Sequence, residues 1–318
     1  MSKRWQIILA TLLVILAVSA CGPSGPRSTP RPTQTPFSTP LPWISTPVPA
    51  GSAGNPVRMA LIPAEELSSE QVSEFESLFA SSGVAVQLII SETEAEVMGL
   101  LCANTTAENA VVAWLDGMGY ISAYGRLCGQ AQLVLISSDD DMELGERVDL
   151  LIRPELGTQQ VNAAEGRTFC RIGYQDVYSW LIPQLWFAQV DFDIAKIGTI
   201  EDLEDYQAIA DGVIADECDL GAVPGSVIDS LEEEDGFVVA KTSPILPYSV
   251  LVVPPGLPQD HAEAISQVLL DAAQSSENDA LFSDIFGDYG IQTVDSDLIS
   301  DLHDFVDDSE FEFVQVDR

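Results

Sequence analysis

The sequence predicts an α/β protein whose sheets are mostly parallel and flanked by helices. Three observations predict it. From Pro56 onward, short apolar runs alternate with amphipathic stretches of roughly 10–15 residues, the pattern of strands joined by crossover helices. The stretch Gly166 to Pro183, G-R-T-F-C-R-I-G-Y-Q-D-V-Y-S-W-L-I-P, reads as a buried strand (Thr168 to Ile172) that turns at Gly173 into an aromatic-rich helix start. Open α/β folds place ligands at such strand-to-helix turns. Finally, 318 residues with 46% apolar content are enough for one or two cores.

The chain begins with a targeting segment, Met1 to Cys21. Lys3 and Arg4 form a positive start, and Ile7 to Val18 is an apolar run too short to span a bilayer comfortably. Val18-Ser19-Ala20-Cys21 places small residues before a cysteine and resembles a bacterial lipoprotein signal. The resemblance implies cleavage before Cys21 and lipidation of its sulfur by diacylglyceryl, with palmitate as a typical acyl chain. An ordinary secretory signal is the alternative. Two acyl chains are what stable anchoring requires. The chain is therefore expected outside the cytoplasm, lipid-anchored to a bacterial cell membrane. A tether follows over residues 22–55. Nine of the 29 residues from Gly22 to Ala50 are proline, interspersed with Ser and Thr. Such a segment builds no core, and at roughly 3.1 Å per residue it reaches about 90 Å.

The charge is one-sided. The chain has 13 basic and 50 acidic residues, net −37, and Lys3, Arg4, Arg27 and Arg31 are the only charged residues up to position 50. Setting those four aside leaves nine basic against 50 acidic residues, a net −41 over residues 51–318. This repels nucleic acid and excludes it as a partner.

The folded part then runs in order. Val57 to Ile62 is a strand, and Ser68 with Gln71 forms a capping box for a helix whose apolar face is Val72, Phe75, Leu78 and Phe79. Val84 to Ile90 is a strand, Glu92 to Leu101 a helix, and Ala110 to Leu115 a strand. The turn D-G-M-G-Y leads to a helix from about Ile121, and Leu133 to Ile136 is a fourth strand. Trp114, Asp116 and Tyr120 at that turn are candidates for one wall of a ligand cleft, since two glycines let a backbone approach closely and expose amides. Trp114 equally suits a core position. The opposite wall is Tyr174, Asp176, Tyr178, Ser179 and Trp180, with Asp219 beyond. Trp180 equally suits the helix core, and Asp219 equally suits the end of its strand. Val148 to Arg153, Ile194 to Ile197, Asp219 to Val223 and Phe237 to Ala240 read as further strands. Thr199 with Asp202 reads as a helix start, and Pro244 to Gly256 as the chain crossing back. The long helix after Pro258, a shorter one ending near Phe286, and a last one after Asp295-Ser296-Asp297 complete the chain. Asp307 to Arg318 reads as a loose acidic tail.

Several of these segments together resemble the periplasmic phosphonate-binding proteins of ABC transporters. They are L-I-P after the first strand, A-V-V-A-W-L-D-G-M-G-Y-I-S-A, G-R-T-F at Gly166, D-L-G-A-V at Asp219 and the late D-S-D. The resemblance covers roughly residues 56–300. It implies a two-lobed, type 2 periplasmic-binding fold crossed near residues 143–153 and 241–250. Lobe 1 would be 56–146 plus 245–318, and lobe 2 would be 147–244. It also implies a monomer that captures a small solute and hands it to an ABC permease, with no cofactor and no catalysis. A ligand-sensing lipoprotein without a transport role is the alternative. The four cysteines besides Cys21 allow three pairings. Keeping each bond within one lobe selects Cys102–Cys128 and Cys170–Cys218, each contributing on the order of 4 kcal/mol in the chain-entropy picture.

The chain departs from the family where the ligand should sit. The family's hydroxyl-rich turn S-T-S-G-Y before L-x-P is replaced by Asp176, Val177, Tyr178, Ser179 and Trp180. An aspartate facing a phosphonate is unfavourable. Carboxylates with aromatic rings suit a cation or a flat amine-bearing solute instead. The two histidines, His261 and His303, have no nucleophile beside them in sequence, and the chain has no P-loop, G-x-S-x-G or H-E-x-x-H motif. The acidic runs Asp139–Asp141 and Glu232–Asp235 read as solvated loops, with calcium binding the alternative; the spacing is not that of an EF-hand, and no metal site is assigned.

Overall fold

β1 (Val57–Leu61) is almost wholly buried because a core covers each face of its sheet, with Val57, Met59 and Leu61 in one and Ala60 in the other. It pairs in parallel with β2 (Val86–Ile90) and β3 (Val111–Leu115). α1 (Ser69–Ser77) starts where its capping box closes: Gln71 N donates to Ser68 Oγ at 3.3 Å, and Ser68 N donates to Gln71 Oε1 at 2.9 Å. α2 (Glu94–Ala103) is capped by Thr93, and α3 (Gly117–Gly125) by Asp116. β4 (Gln130–Ser137) ends this part of the chain. In this computed structural model the described residues are 48, 50–138, 143–156, 160–231, 236–311 and 313. The segment expected to be a signal, Met1–Cys21, the expected tether up to Pro47 and the acidic runs at Asp139–Asp141 and Glu232–Asp235 lie outside them.

The chain then passes through β5 (Gly145–Glu146) into a second sheet. That sheet is built from β6 (Val148–Ile152), β7 (Thr168–Arg171), β8 (Thr199–Asp202), β9 (Leu220–Pro224) and β10 (Val238–Thr242), in the order β10-β6-β9-β7-β8. Helices α4 (Ile182–Gln189), α5 (Tyr206–Ile214) and α6 (Gly225–Asp229) alternate with these strands. The chain returns through β11 (Leu246–Pro247) into β12 (Val250–Val253). It continues through α7 (Gln259–Ala273), α8 (Asp279–Phe286), β13 (Tyr289–Thr293) and α9 (Ser296–Asp307). The first sheet has the order β13-β4-β12-β3-β1-β2.

The parallel pairing expected from strand–helix alternation is the three-stranded run β2-β1-β3 in one sheet and β9-β7-β8 in the other. The strands that bracket the crossings, β6 and β12, are inserted antiparallel. The two crossings pair with each other, Leu246 opposite Glu146 and Pro247 opposite Gly145. A Cβ at Gly145 would overlap the Leu246 carbonyl, so only glycine lets the two crossings lie this close.

Five local readings change. Ile194–Lys196 is a single 3₁₀ turn, and Thr199–Asp202 is the edge strand β8, in register with β7. Its four side chains are exposed, so T-I-E-D carries no alternation that would mark a strand. The helix start lies later, at Asp205, whose Oδ1 accepts from Ala208 N at 2.7 Å. The returning stretch Val250–Val253 is a central strand, and Tyr289–Thr293 is an added edge strand. The C-terminal segment packs where it is described: Ser309 and Phe313 are buried, and Phe313 lies against Gly125 of α3.

On β3 the side chains alternate between the two faces of the sheet. Val111, Ala113 and Leu115 join the core shared with α2, α3 and α9. Val112 and Trp114 join the core under α1, α7 and α8. In the second sheet, Cys170 and Cys218 belong to the core that packs α5. Disulfides join Cys102 to Cys128 and Cys170 to Cys218.

Candidate functional site

A cleft of about 690 Å³ is lined from three directions. One wall is the start of α2 and the start of α3: Thr93, Glu94, Met98, Asp116, Met118, Gly119 and Ser122. The facing wall is the turn after β7 and the helix that follows it: Tyr174, Gln175, Val177, Trp180, Leu181 and Gln184. Phe311 adds a contact from the C-terminal segment. Both walls lie at carboxyl ends of parallel strands, where open α/β sheets bind ligands.

Two carboxylates meet in the first wall. Asp116 is the N-cap of α3, and its Oδ1 accepts from Gly119 N at 2.6 Å. Glu94, in the first turn of α2, accepts the Asp116 amide on Oε1 at 2.8 Å. A Cβ at Gly119 would collide with that same Oε1, so the glycine makes room for the glutamate. Burial, and then the Asp116 charge, push the Glu94 carboxyl up to about 8. Burial also raises Asp116, against the pull of the Gly119 and Met118 amides. The pair therefore retains a proton at neutral pH.

The second wall begins with a π-helical turn, Val177–Leu181, ahead of α4. Asp176 caps it. Its Oδ1 accepts from Ser179 N and from Ser179 Oγ, both at 2.6 Å, and its Oδ2 accepts from the Tyr206 hydroxyl at 2.8 Å. Ser179 is fully buried, and its Oγ accepts from Ile172 N at 3.0 Å. Tyr178 stands edge-on to Tyr206, with ring centroids 5.9 Å apart. Its hydroxyl is pushed up to about 12, first by burial and then by the charges of Asp116, Glu146, Tyr248 and Asp176. Trp180 is 6% exposed, and the Arg171 guanidinium lies 4.4 Å from its ring centroid. Tyr174 is 61% exposed and leaves its ring open at the rim.

Of the residues singled out from sequence, the cleft brings together Asp116, Tyr174 and Trp180. It leaves out the other six as lining residues, each for a structural reason. Trp114 points to the opposite face of the sheet and packs edge-on against Phe286 at 5.1 Å. Tyr120 lies on the back of α3, buried, with its hydroxyl 2.8 Å from His303 Nε2 on α9. Asp176 and Ser179 serve the helix cap, and Tyr178 packs on Tyr206 beside them. Asp219 sits at the amino end of β9, away from the cleft. Its Oδ2 accepts from Thr168 N at 2.8 Å and its Oδ1 pairs with Arg153. The reading from sequence missed Glu94, Ser122 and Met98. The one signal that could have found Glu94 was Thr93 as a helix cap, which puts Glu94 in the first turn.

The fold and the cleft together place the chain among known proteins. A family model described as the periplasmic substrate-binding protein of phosphonate ABC transporters matches residues 64–298. Among solved structures, XAC2383 from Xanthomonas citri bound to ATP is similar at 13% identity and a TM-score of 0.53, over 80% of this chain and 96% of that one. Mh-p37 of Mycoplasma hyorhinis, described as a candidate thiamine pyrophosphate transporter, is similar at 9% identity and a TM-score of 0.50, over 80% and 100%. A binding-protein component of an ABC phosphonate transporter from Pseudomonas aeruginosa, PA3383, aligns at 15% identity and a TM-score of 0.43, over 80% and 87%. At these identities the first two likenesses concern the fold alone. No curated protein sequence matches the chain. With the family model covering most of its length, the chain belongs to the periplasmic substrate-binding proteins of the phosphonate ABC transporter family.

Proposed function

We propose that this member of the family is a lipid-anchored receptor that captures a cationic, amine-bearing solute and delivers it to an ABC permease. One observation carries the ligand class. Helix-start amides are what an anion uses, and at each wall amides at or beside a helix start are already bonded to carboxylates of the chain itself. Gly119 N is held by Asp116, Asp116 N by Glu94, and Ser179 N by Asp176. An anion entering here would have to displace these carboxylates and face the charge they keep. A cation would complete the Glu94–Asp116 pair, with Tyr174 open at the rim.

The lobes would be residues 56–146 with 245–318 and residues 147–244, closing on the solute by a hinge at the paired crossings β5 and β11. Val18-Ser19-Ala20-Cys21 supports anchoring through lipid on Cys21, with the proline-rich tether giving the receptor reach. A thermal-shift screen of the full chain tests the ligand class. Amines and guanidinium compounds are expected to raise the melting temperature, and a ligand at 100 times its Kd stabilises by about 2.7 kcal/mol. Stabilisation by methylphosphonate or phosphate with none by any cation would reject the reading.

A further inference from the structure

Among the described residues two buried hydroxyls have no partner, Ser122 on α3 and Ser266 on α7, and of these Ser122 lines the cleft. It lies on the cleft face of α3, three and four residues beyond Gly119 and Met118, which line the same cleft. The residue is 4% exposed, and its Oγ has no hydrogen-bond partner among the described residues. A buried serine inside a helix can satisfy its hydroxyl by bonding back to the carbonyl one turn earlier, and this one does not. Buried hydroxyls are almost always satisfied, so an unpaired one on a residue that lines a cleft leaves a place for a partner from outside the chain. On the same wall, Glu94 uses Oε1 to hold Asp116 N and Asp116 uses Oδ1 to hold Gly119 N. Each carboxylate thus has a second oxygen outside those bonds.

The geometry points to a ligand whose cationic end carries N–H donors, a primary ammonium, an amidinium or a guanidinium, received by Glu94 and Asp116 and by the Ser122 hydroxyl. This rests on the reading of the cleft as a cation site and narrows it. A quaternary ammonium has no N–H to give to three oxygen acceptors, and it is recognised instead by a cage of aromatic faces. The cleft is not built as such a cage. Of the rings that line it, Trp180 is engaged by Arg171 and Tyr174 stands exposed at the rim, with Phe311 coming from the C-terminal segment, while Tyr178 and Tyr120 are turned to Tyr206 and His303 outside it. An N–H cation also replaces the proton that the carboxylate pair retains when empty, so cation entry releases a proton to solvent. The ionisable groups around the pair are Glu94 and Asp116 themselves and Tyr178 from the facing wall, whose own neighbours are Glu146, Tyr248 and Asp176. Tyr178 stays neutral throughout the working range, so the pair is what titrates.

The test is calorimetry on the full chain with agmatine, putrescine, choline, tetramethylammonium and methylphosphonate, at pH 6 to 8 and in two buffers of different ionisation heat. Agmatine or putrescine should bind, release up to one proton, and bind more tightly as the pH rises. Choline and tetramethylammonium should bind at least about tenfold more weakly, the factor that 1.4 kcal/mol represents. Ser122→Ala should lower agmatine affinity about tenfold yet leave the empty protein at least as stable, because it removes an unpaired buried hydroxyl rather than a contact. Glu94→Gln should abolish proton release. Quaternary cations binding as well as agmatine, or Ser122→Ala binding agmatine unchanged, would overturn the N–H assignment while the cation reading stands. Binding of methylphosphonate alone would overturn both. Failure of every N–H cation to bind would overturn the assignment as well.

Discussion

The Tyr206 hydroxyl on α5 donates to Asp176 Oδ2 at 2.8 Å, tying a helix on one side of the second sheet to the cap of the turn that faces the cleft. Asp176 thus spends both oxygens inside the protein. Asp176→Ala should cost about 1–2 kcal/mol through the lost cap, and Tyr206→Phe about 1 kcal/mol. The double variant should cost less than the sum, with a coupling on the order of 0.5–1 kcal/mol, because both changes delete one shared bond. Urea midpoints at constant m-value measure this. Strict additivity would show that the bond carries no energy.

The Glu94–Asp116 pair makes the stability of the empty receptor depend on pH in a particular direction. Burial and Asp116 raise the folded Glu94 carboxyl from 4.5 to about 8. The folded state therefore holds this proton more tightly than the unfolded state. Its contribution is complete below about pH 4.5 and is lost as the pH rises through about 8. Every tenfold gain in proton affinity on folding is worth about 1.4 kcal/mol. Glu94→Gln, which stays neutral, should gain a few kcal/mol on the wild type between pH 5 and 9. The measurement is the difference between the two melting curves at each pH, and curves that remain parallel would remove Glu94 as the source.

Trp114 and Tyr174 should separate stability from binding. Trp114 is 4% exposed, packs on Phe286 and leaves its Nε1 without a partner among the described residues. Trp114→Leu should therefore cost about 2–4 kcal/mol by opening a cavity and leave agmatine affinity within twofold. Tyr174→Ala, at the exposed rim, should change stability by less than about 0.5 kcal/mol and weaken binding. Melting curves and titrations on both variants check this. A loss of affinity in Trp114→Leu with unchanged stability would contradict the burial of its ring.

How much of this was legible in the sequence follows from how local each signal is. The capping box at Ser68 and Gln71, the strand at Val111–Leu115 and the strand from Thr168 are set by neighbouring residues, and each stands where its pattern puts it. Asp116 and Asp176 were legible as polar residues at helix starts, but the same position makes each a cap that consumes its own oxygens. Trp114 and Asp116 are adjacent in sequence. Strand alternation sends the tryptophan to the far face of the sheet, and only the register with β12 shows which face that is. Glu94 and Asp116 meet across 22 positions, a separation that no period in the sequence encodes. β8 was missed because an exposed edge strand need not alternate.

Gly145 offers a test of the crossing itself. Its Cα lies so close to the Leu246 carbonyl that any Cβ overlaps it, and this contact is where β5 and β11 pair. Gly145→Ala should push the two crossings apart, lose their hydrogen bonds and cost about 1–3 kcal/mol, the range for overpacking a filled site. Gly173, in the turn after β7, gives the control. A Cβ there meets nothing within 4 Å, so Gly173→Ala should stay within about 0.5 kcal/mol of wild type. Hydrogen exchange over residues 143–148 and 244–249 should rise in Gly145→Ala alone. If the two crossings guide closure of the lobes, the same variant should also bind agmatine more weakly with its carboxylate wall intact. Unchanged exchange and affinity in Gly145→Ala would show that the pairing of the crossings is incidental to both the fold and the capture of solute.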